Sequence, residues 1–247
     1  MTTPVRGGRK VKITVGMPVY NARPSVASAI ESVLAQDHPS FELVIVDDAS
    51  TDGSGEVLRK YRGHPRVRIY ANARRLGRGG TRNRILRLAR GRYVTPCDAD
   101  DRMLKGNLRK LSAYLDRHPA VGAAYGDMRV HEFDGKGRLI RKHTLARDCE
   151  KTWDLLENVI NHAGSMIRLS FLRKIGGYDE NVRYADDWSM WLKLSEVAPI
   201  KYLGGPPLYL WKRQMTRAKS RIVTHGVARI RREAIARRYG FGRKAGA

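Results

Sequence analysis

"FELVIVDD" (residues 41–48) decides the fold of this chain. Its apolar side chains run from Leu43 to Val46 without alternation, and two acids close the run. A strand that is apolar at every position is buried on both faces, as in a parallel sheet covered by helices on each side. The flanking segments agree. "VKITVGM" (11–17) reads as a short strand, and "VASAIESVLAQ" (26–36) puts Val26, Ile30, Val33 and Leu34 on one helical face. "STDGSGEVLRKY" (50–61) opens with N-cap residues and continues as a helix. "VRIYAN" (67–72) is a third strand, "RGGTRNRILRLARG" (78–91) a helix opened by glycine, and "RYVTPC" (92–97) a fourth strand. Alternating strands and helices predict a doubly wound α/β fold with a mostly parallel central sheet flanked by helices.

In such sheets ligands sit beyond the carboxyl ends of the strands. Each strand here ends in polar residues: Tyr20–Asn21, Asp47–Asp48, Asn72, and Asp98–Asp100. The second half is mixed. A helix over about 104–117 leads to a strand read from "AVGAAYGDMRV" (120–130), and Asp134–Gly135 signals a hairpin. "HAGSMIRLSFLRKIGGYDE" (162–180) holds a strand and a short helix, and "DDWSMWLKLSEV" (186–197) is an amphipathic helix. These elements predict a substrate-shaping half on the same domain.

The bulk composition narrows the alternatives. With 247 residues, 42 % of them hydrophobic, the chain can bury a core, so disorder is not expected. Two cysteines, Cys97 and Cys149, exclude a disulfide framework and a Cys-rich zinc site. No apolar run reaches the length of a membrane span, and the N-terminal stretch has no signal-peptide core. A cytoplasmic location is therefore expected. The formal charge of +24 attracts polyanions, yet it is uneven: residues 212–247 hold twelve Lys and Arg against Glu233 alone.

"CDADD" (97–101) gathers Asp98, Asp100 and Asp101 at a strand end in this basic chain. Such acids either cap the next helix or hold a hard divalent cation, which prefers oxygen ligands and leaves positions for water and phosphate. "VIVDDAS" offers the same choice between helix capping and a carboxylate that contacts a base or ribose. "RRLGRGGTRNR" (74–84) resembles a phosphate loop but lacks the spacing of either standard motif. "YADDWSMWL" (184–192) supplies a last acidic pair at a helix start.

Taken together, "MPVYN", "VIVDDASTD", "RGGTRN", "YVTPCDADD", "IGGYDE" and "DDWSMWLKL" resemble, in order and spacing, the family 2 glycosyltransferases of GT-A fold, over roughly residues 11 to 210. The resemblance implies an inverting enzyme, Mn²⁺ or Mg²⁺, and a nucleotide-diphosphate sugar donor, with UDP as the family's usual nucleotide. It places Pro18, Tyr20, Asn21, Asp47, Asp48 and Arg82 around the nucleotide, and Asp98 and Asp100 at the metal, Asp100 being its direct ligand. Asp187 corresponds to the catalytic base. Asp186 stands where the family usually has Glu. The implied organisation is a basic extension (1–10), a glycosyltransferase domain (11–211) with a nucleotide-binding half (11–101) and an acceptor half (102–211), and a basic helical tail (212–247).

The family's C-terminal His is replaced here by the run "LYLWKRQMTRAKSR" (208–221). Lys212, Arg213 and Arg217 are candidates to neutralise a leaving diphosphate, or form a solvated basic edge. Val223, Val227, Ile230 and Ala234 mark an apolar helical stripe among arginines, which suggests a tail that packs on the domain or adsorbs to an anionic membrane surface. The acceptor is a hydroxyl of a glycan, a lipid-linked sugar or another molecule; no nucleic-acid partner is expected. Two rivals remain at this stage. A nucleotidyltransferase would carry a Gly-rich signature with Lys after the first strand, where this chain has Tyr20–Asn21. An inactive basic nucleic-acid-binding or scaffold protein would have no need for acids at every catalytic position.

Overall fold

A computed structural model describes residues 11–146, 148, 160–182 and 185–214. The four strands expected in the first half form: β1 (Ile13–Val19), β2 (Phe41–Asp47), β3 (Val67–Ala71) and β4 (Tyr93–Pro96). β1 pairs in parallel with both β2 and β4, and β2 with β3. Helices α1 (Val26–Leu34), α2 (Ser54–Arg59) and α3 (Gly77–Leu88) make the crossovers. The faces divide by residue parity. Leu43 and Ile45 join Ile13, Val15 and Met17 in the larger cluster with α1, whereas Val44 and Val46 pack on Ile85 of α3. Gly16 lets α3 come close, since a Cβ there would lie 2.7 Å from Ile85 Cγ2.

The second half completes the central sheet and adds another. After β5 (Arg102–Met103) and α4 (Asn107–Arg117) come β6 (Ala123–Gly126), β7 (Met128–Phe133), β8 (Leu139–Leu145) and β9 (Met166–Arg168). Then follow α5 (Leu169–Lys174), α6 (Asp186–Ser195), β10 (Ile200–Leu203) and β11 (Tyr209–Gln214). The central sheet has the order β10-β6-β9-β4-β1-β2-β3, with β9 antiparallel to β4 and β6. A four-stranded sheet, β5-β11-β7-β8, carries its inner residues Met103, Met128, Val130 and Tyr209 into the larger core. α6 seats Trp188 and Trp191, both fully buried, in a second cluster on the other side of the central sheet.

Three boundaries differ from the sequence reading. The stretch 120–130 is two strands in two sheets, because the chain turns at Asp127: its carboxylate accepts from Tyr202 Oη and its carbonyl from Leu208 N. The helix read as starting near 104 begins at Asn107, behind Gly106 in the left-handed region (φ 84°). β11 continues to Gln214, past the position where the basic tail was expected to begin. The expected tail helix itself, with Arg217, lies outside the described residues, as do residues 1–10. Among the described residues no helix is long and apolar enough to cross a membrane.

Candidate active site

The polar strand ends meet at the carboxyl edge of the central sheet, and Arg82 joins them. It projects from α3 and is almost fully buried, with Nη1 2.5 Å from Asp186 Oδ2 and Nη2 3.1 Å from Asp98 Oδ1. The turn after β4 and the acidic start of α6 are thereby held by one guanidinium. Burial opposes the Arg82 charge, but Asp186 and then Asp98 hold the proton more firmly than usual. The fork suits two carboxylates because its donors are planar and fixed. Arg78 adds a looser contact, Nε to Asp186 Oδ1 at 3.6 Å.

Asp186 and Asp187 therefore differ in environment despite being neighbours. Asp186 is 1 % exposed and fully engaged by arginine. Asp187 is partly exposed and accepts the Trp188 backbone N–H at 2.8 Å. Burial, and then the Asp186 charge, raise its pKa. A carboxylate with raised pKa at a partly open position suits proton abstraction, whereas its neighbour anchors the helix end. The preceding Ala185 is left-handed (φ 61°), as are Asn21 (49°) and Ala49 (60°). Non-glycine residues in this region are uncommon and each costs free energy, and all three flank this edge.

The turn after β4 gathers three acids, of which Asp98 pairs with Arg82. Asp98 is partly exposed, Asp100 exposed, and Asp101 2 % exposed. Burial, then Asp98 and Asp100, push the Asp101 carboxyl up to about 9. Its Oδ1 accepts the Lys212 backbone N–H at 2.8 Å, tying the turn to β11. Tyr209 Oη accepts the Asp98 N–H at 3.0 Å from below. Among the described residues no three His, Cys, Asp or Glu side chains converge as a complete metal cage. The donor set still fits Mn²⁺ or Mg²⁺. Asp98 and Asp100 offer hard oxygens in a turn of three acids, with Arg82 on Asp98 Oδ1, and such ions take their remaining ligands from water and phosphate.

The residues expected around a nucleotide are assembled but heavily bonded. Asp48 is buried and accepts from Asn72 Nδ2 (2.7 Å), Leu76 N (2.7 Å) and Gly77 N (2.9 Å). It uses three of roughly four acceptor positions on the protein itself. Its carboxylate also occupies the start of α3, where the sequence suggested a phosphate loop. Gly79 serves packing, since a Cβ there would lie 2.8 Å from the Asp179 carbonyl oxygen, and Gly77 takes a left-handed φ of 77°. Asp47 accepts from Ser50 N and Ser50 Oγ. Asn21 is fixed by Ser50 and Thr51, and Tyr20 is exposed beneath the Arg75 guanidinium, 3.9 Å from its ring centre. Pro18 lies in β1.

Of the basic candidates, Arg213 pairs with Glu132 at 3.4 Å and leans over Trp211. Lys212 reaches the acidic turn through its backbone, while its side-chain charge acts on His131. No role for His162 or Tyr178 was legible in the sequence. His162 Nε2 lies 2.8 Å from Tyr178 Oη, and Arg82 stands over the Tyr178 ring. Burial, and then Arg82 and Arg78, lower the His162 pKa well below its usual value. A lone histidine in a loop offers no periodicity, so only the tertiary contacts expose it.

The glycosyl transferase family 2 model matches residues 14–176. The chain is 39 % identical over 188 residues to the protein named teichuronic acid biosynthesis glycosyltransferase TuaG of Bacillus subtilis, covering 75 % of this chain and 72 % of that one. Among solved structures, Staphylococcus aureus TarS 1–349 in complex with UDP-GlcNAc superposes with a TM-score of 0.72 at 22 % identity. The match covers 92 % of this chain and 67 % of that one. The mannosyltransferase PcManGT of Pyrobaculum calidifontis, in complex with GDP-Man and Mn²⁺, gives 0.65 at 22 % identity, covering 95 % and 66 %. At that identity the two structures speak for the fold alone, and the family rests on the matched model and on TuaG: this chain belongs to glycosyl transferase family 2 and is a glycosyltransferase of GT-A fold.

Proposed function

We propose that the protein transfers a sugar, with inversion, from a nucleoside-diphosphate sugar to a hydroxyl of a glycan in polysaccharide biosynthesis, with UDP as its nucleotide. The observation that carries this reading is the Arg82 fork, which ties Asp98 on the donor side to Asp186 beside the candidate base. The teichuronic acid biosynthesis for which TuaG is named suggests the pathway class, and the UDP-GlcNAc bound by TarS, which shares the fold, suggests the donor. In a single displacement, the acceptor oxygen attacks the anomeric carbon as Asp187 takes its proton. The bond from that carbon to the diphosphate oxygen breaks, and its electron pair leaves with the nucleoside diphosphate. Attack opposite the leaving group inverts the centre. The raised pKa of Asp187 strengthens it as a base, and Asp186 with Arg82 orients the start of α6. A divalent cation held by Asp98 and Asp100 would supply positive charge to the departing diphosphate.

Thermal stabilisation by UDP, GDP, UDP-GlcNAc and GDP-mannose, each with Mn²⁺ and with EDTA, tests the reading. A ligand that binds only the folded chain raises Tm by mass action. The uridine nucleotides are expected to raise it in Mn²⁺ and to lose most of that effect in EDTA. Failure of every nucleotide to stabilise the chain in either metal would overturn the donor assignment.

A further inference from the structure

The outer face of the β5-β11-β7-β8 sheet is cationic and has no part in the chemistry above. Cross-strand register sets its composition. Leu210 faces Arg102 on β5 and Arg129 on β7, and Arg129 faces Thr144 on β8. One step further along the strands, Lys212 faces His131, which faces Lys142. Paired residues project to the same side of a sheet, so these form two adjacent rows. Arg102, Arg129 and Lys142 are exposed, while His131 and Lys212 are partly exposed. Among the described residues none of the five has an ion-pair partner, and neither row contains a carboxylate. The acids of this sheet lie elsewhere: Glu132 points inward and pairs with Arg213, and Asp134 closes the hairpin turn with Arg138.

Unpaired like charges repel when set side by side, and nothing in the fold requires them. Their position supplies the reason. β5 follows directly from the Asp98–Asp101 turn, and the Lys212 backbone holds Asp101, so the cationic rows begin at the catalytic edge. Next to that turn, Arg102 and Leu210 line a recess of about 310 Å³ together with the exposed Lys105 and the buried Gln36 and Ser32. Neighbouring rows stand about 6.7 Å apart along the strands and neighbouring strands about 4.8 Å, a lattice of charges for a flexible chain to track.

We propose that this face binds the acceptor as an anionic glycan chain, with a phosphate or carboxylate on its repeats, and leads its end to the catalytic edge. The proposal rests on the glycosyltransfer reading and adds the acceptor's chemical class. A bilayer fits less well. It is flat and would not enter the recess, and the two rows offer only Leu210 as an apolar anchor. Duplex nucleic acid would not explain why the rows start at the catalytic acids.

The test uses the full chain and its Arg129→Glu/Lys142→Glu variant. A control variant, Lys60→Glu/Arg62→Glu, makes the same charge change at exposed positions around the end of α2. Probes are a short oligogalacturonate, a neutral maltooligosaccharide of the same length, a DNA duplex, and phosphatidylglycerol vesicles. The wild type is expected to bind oligogalacturonate in a salt-sensitive manner and to ignore the neutral glycan. The rows variant should bind at least tenfold more weakly, and the control within threefold of wild type. Equal weakening in both variants, equal binding of the neutral glycan, or a loss confined to duplex or vesicles would overturn the proposal. Stabilisation by UDP with Mn²⁺, measured on the same variants, separates the two readings. If it persists while glycan binding is indifferent to the rows, only the acceptor inference fails. If no nucleotide stabilises any variant while glycan binding follows the rows, only the donor reading fails.

Discussion

The two sheets treat charge in opposite ways. At the carboxyl edge of the central sheet, charged groups are buried and interlocked: Arg82 is shared by Asp98 and Asp186, and Asp48 accepts three protein donors. On the outer face of the four-stranded sheet, Arg102, Arg129, Lys142 and Lys212 have no ion-pair partner among the described residues, and His131 lies between them. In a poorly solvated edge an unpaired charge costs several kcal/mol, so each group there is bound into a network. On the exposed face solvent screens the charges, and they can be left for a ligand. Changes in the first region should therefore strike both stability and rate, and changes in the second should spare the fold.

The sharpest break should come from Arg82→Met. It leaves Asp186 buried with only the looser Arg78 contact, and removal of one member of such a pair costs about 3–5 kcal/mol. Chemical denaturation is expected to show that loss, with sugar transfer abolished as well. A double variant, Arg82→Met/Asp186→Leu, should recover much of the stability and none of the transfer. A native-like midpoint for Arg82→Met would show that the fork does not hold the edge together.

Asp187→Asn is expected to separate chemistry from folding. Transfer should fall by roughly 10²- to 10⁴-fold, the usual contribution of a positioned base, with Tm and UDP affinity close to wild type. Rapid transfer by this variant would move the base elsewhere, Asp186 being the first alternative.

A smaller effect concerns pH. The unfolded chain protonates His162 near its ordinary value of 6.5, whereas the native side chain stays neutral well below it. Acidification therefore favours the unfolded state, and the His162 contribution is lost as pH falls below about 6.5, at up to about 1.4 kcal/mol per pH unit. Between pH 6.5 and 5, stability should fall more steeply for wild type than for His162→Gln, other groups cancelling in the comparison. Parallel pH profiles would contradict the buried neutral histidine. The smallest effect is expected on the outer face: Arg129→Glu/Lys142→Glu should change unfolding free energy by no more than about 0.5 kcal/mol. A larger loss would mean that the rows serve the fold.

Legibility in the sequence followed the same division. β1, β2 and β4 were readable because strands buried on both faces become apolar runs, and α1 carries one apolar stripe; β3, at the sheet edge, was read from its short β-rich run between turn residues. Asp98, Asp100 and the Asp186–Asp187 pair were visible as acids at element ends. The insertion of β9 between β4 and β6, antiparallel to both, was not, since three residues carry no period of their own. The break at Asp127 was hidden as well: it depends on Tyr202 and Leu208, some 75 and 81 positions away in the chain. Lys212 and Arg213 looked alike in the sequence, yet they alternate across β11, one beside His131 and the other on Glu132.

The sequence by itself determined the parallel α/β layering, the family, and the acids that gather at the strand ends, because local periodicity and short spacing encode them. Tertiary structure decided how the environments of the two neighbouring acids of α6 differ. A guanidinium 104 positions away from Asp186 engages that residue and leaves Asp187 partly open. It also decided that Asp48 caps α3 and that scattered basic residues align into two rows. Burial and register depend on which elements meet, and that information lies in contacts between distant parts of the chain.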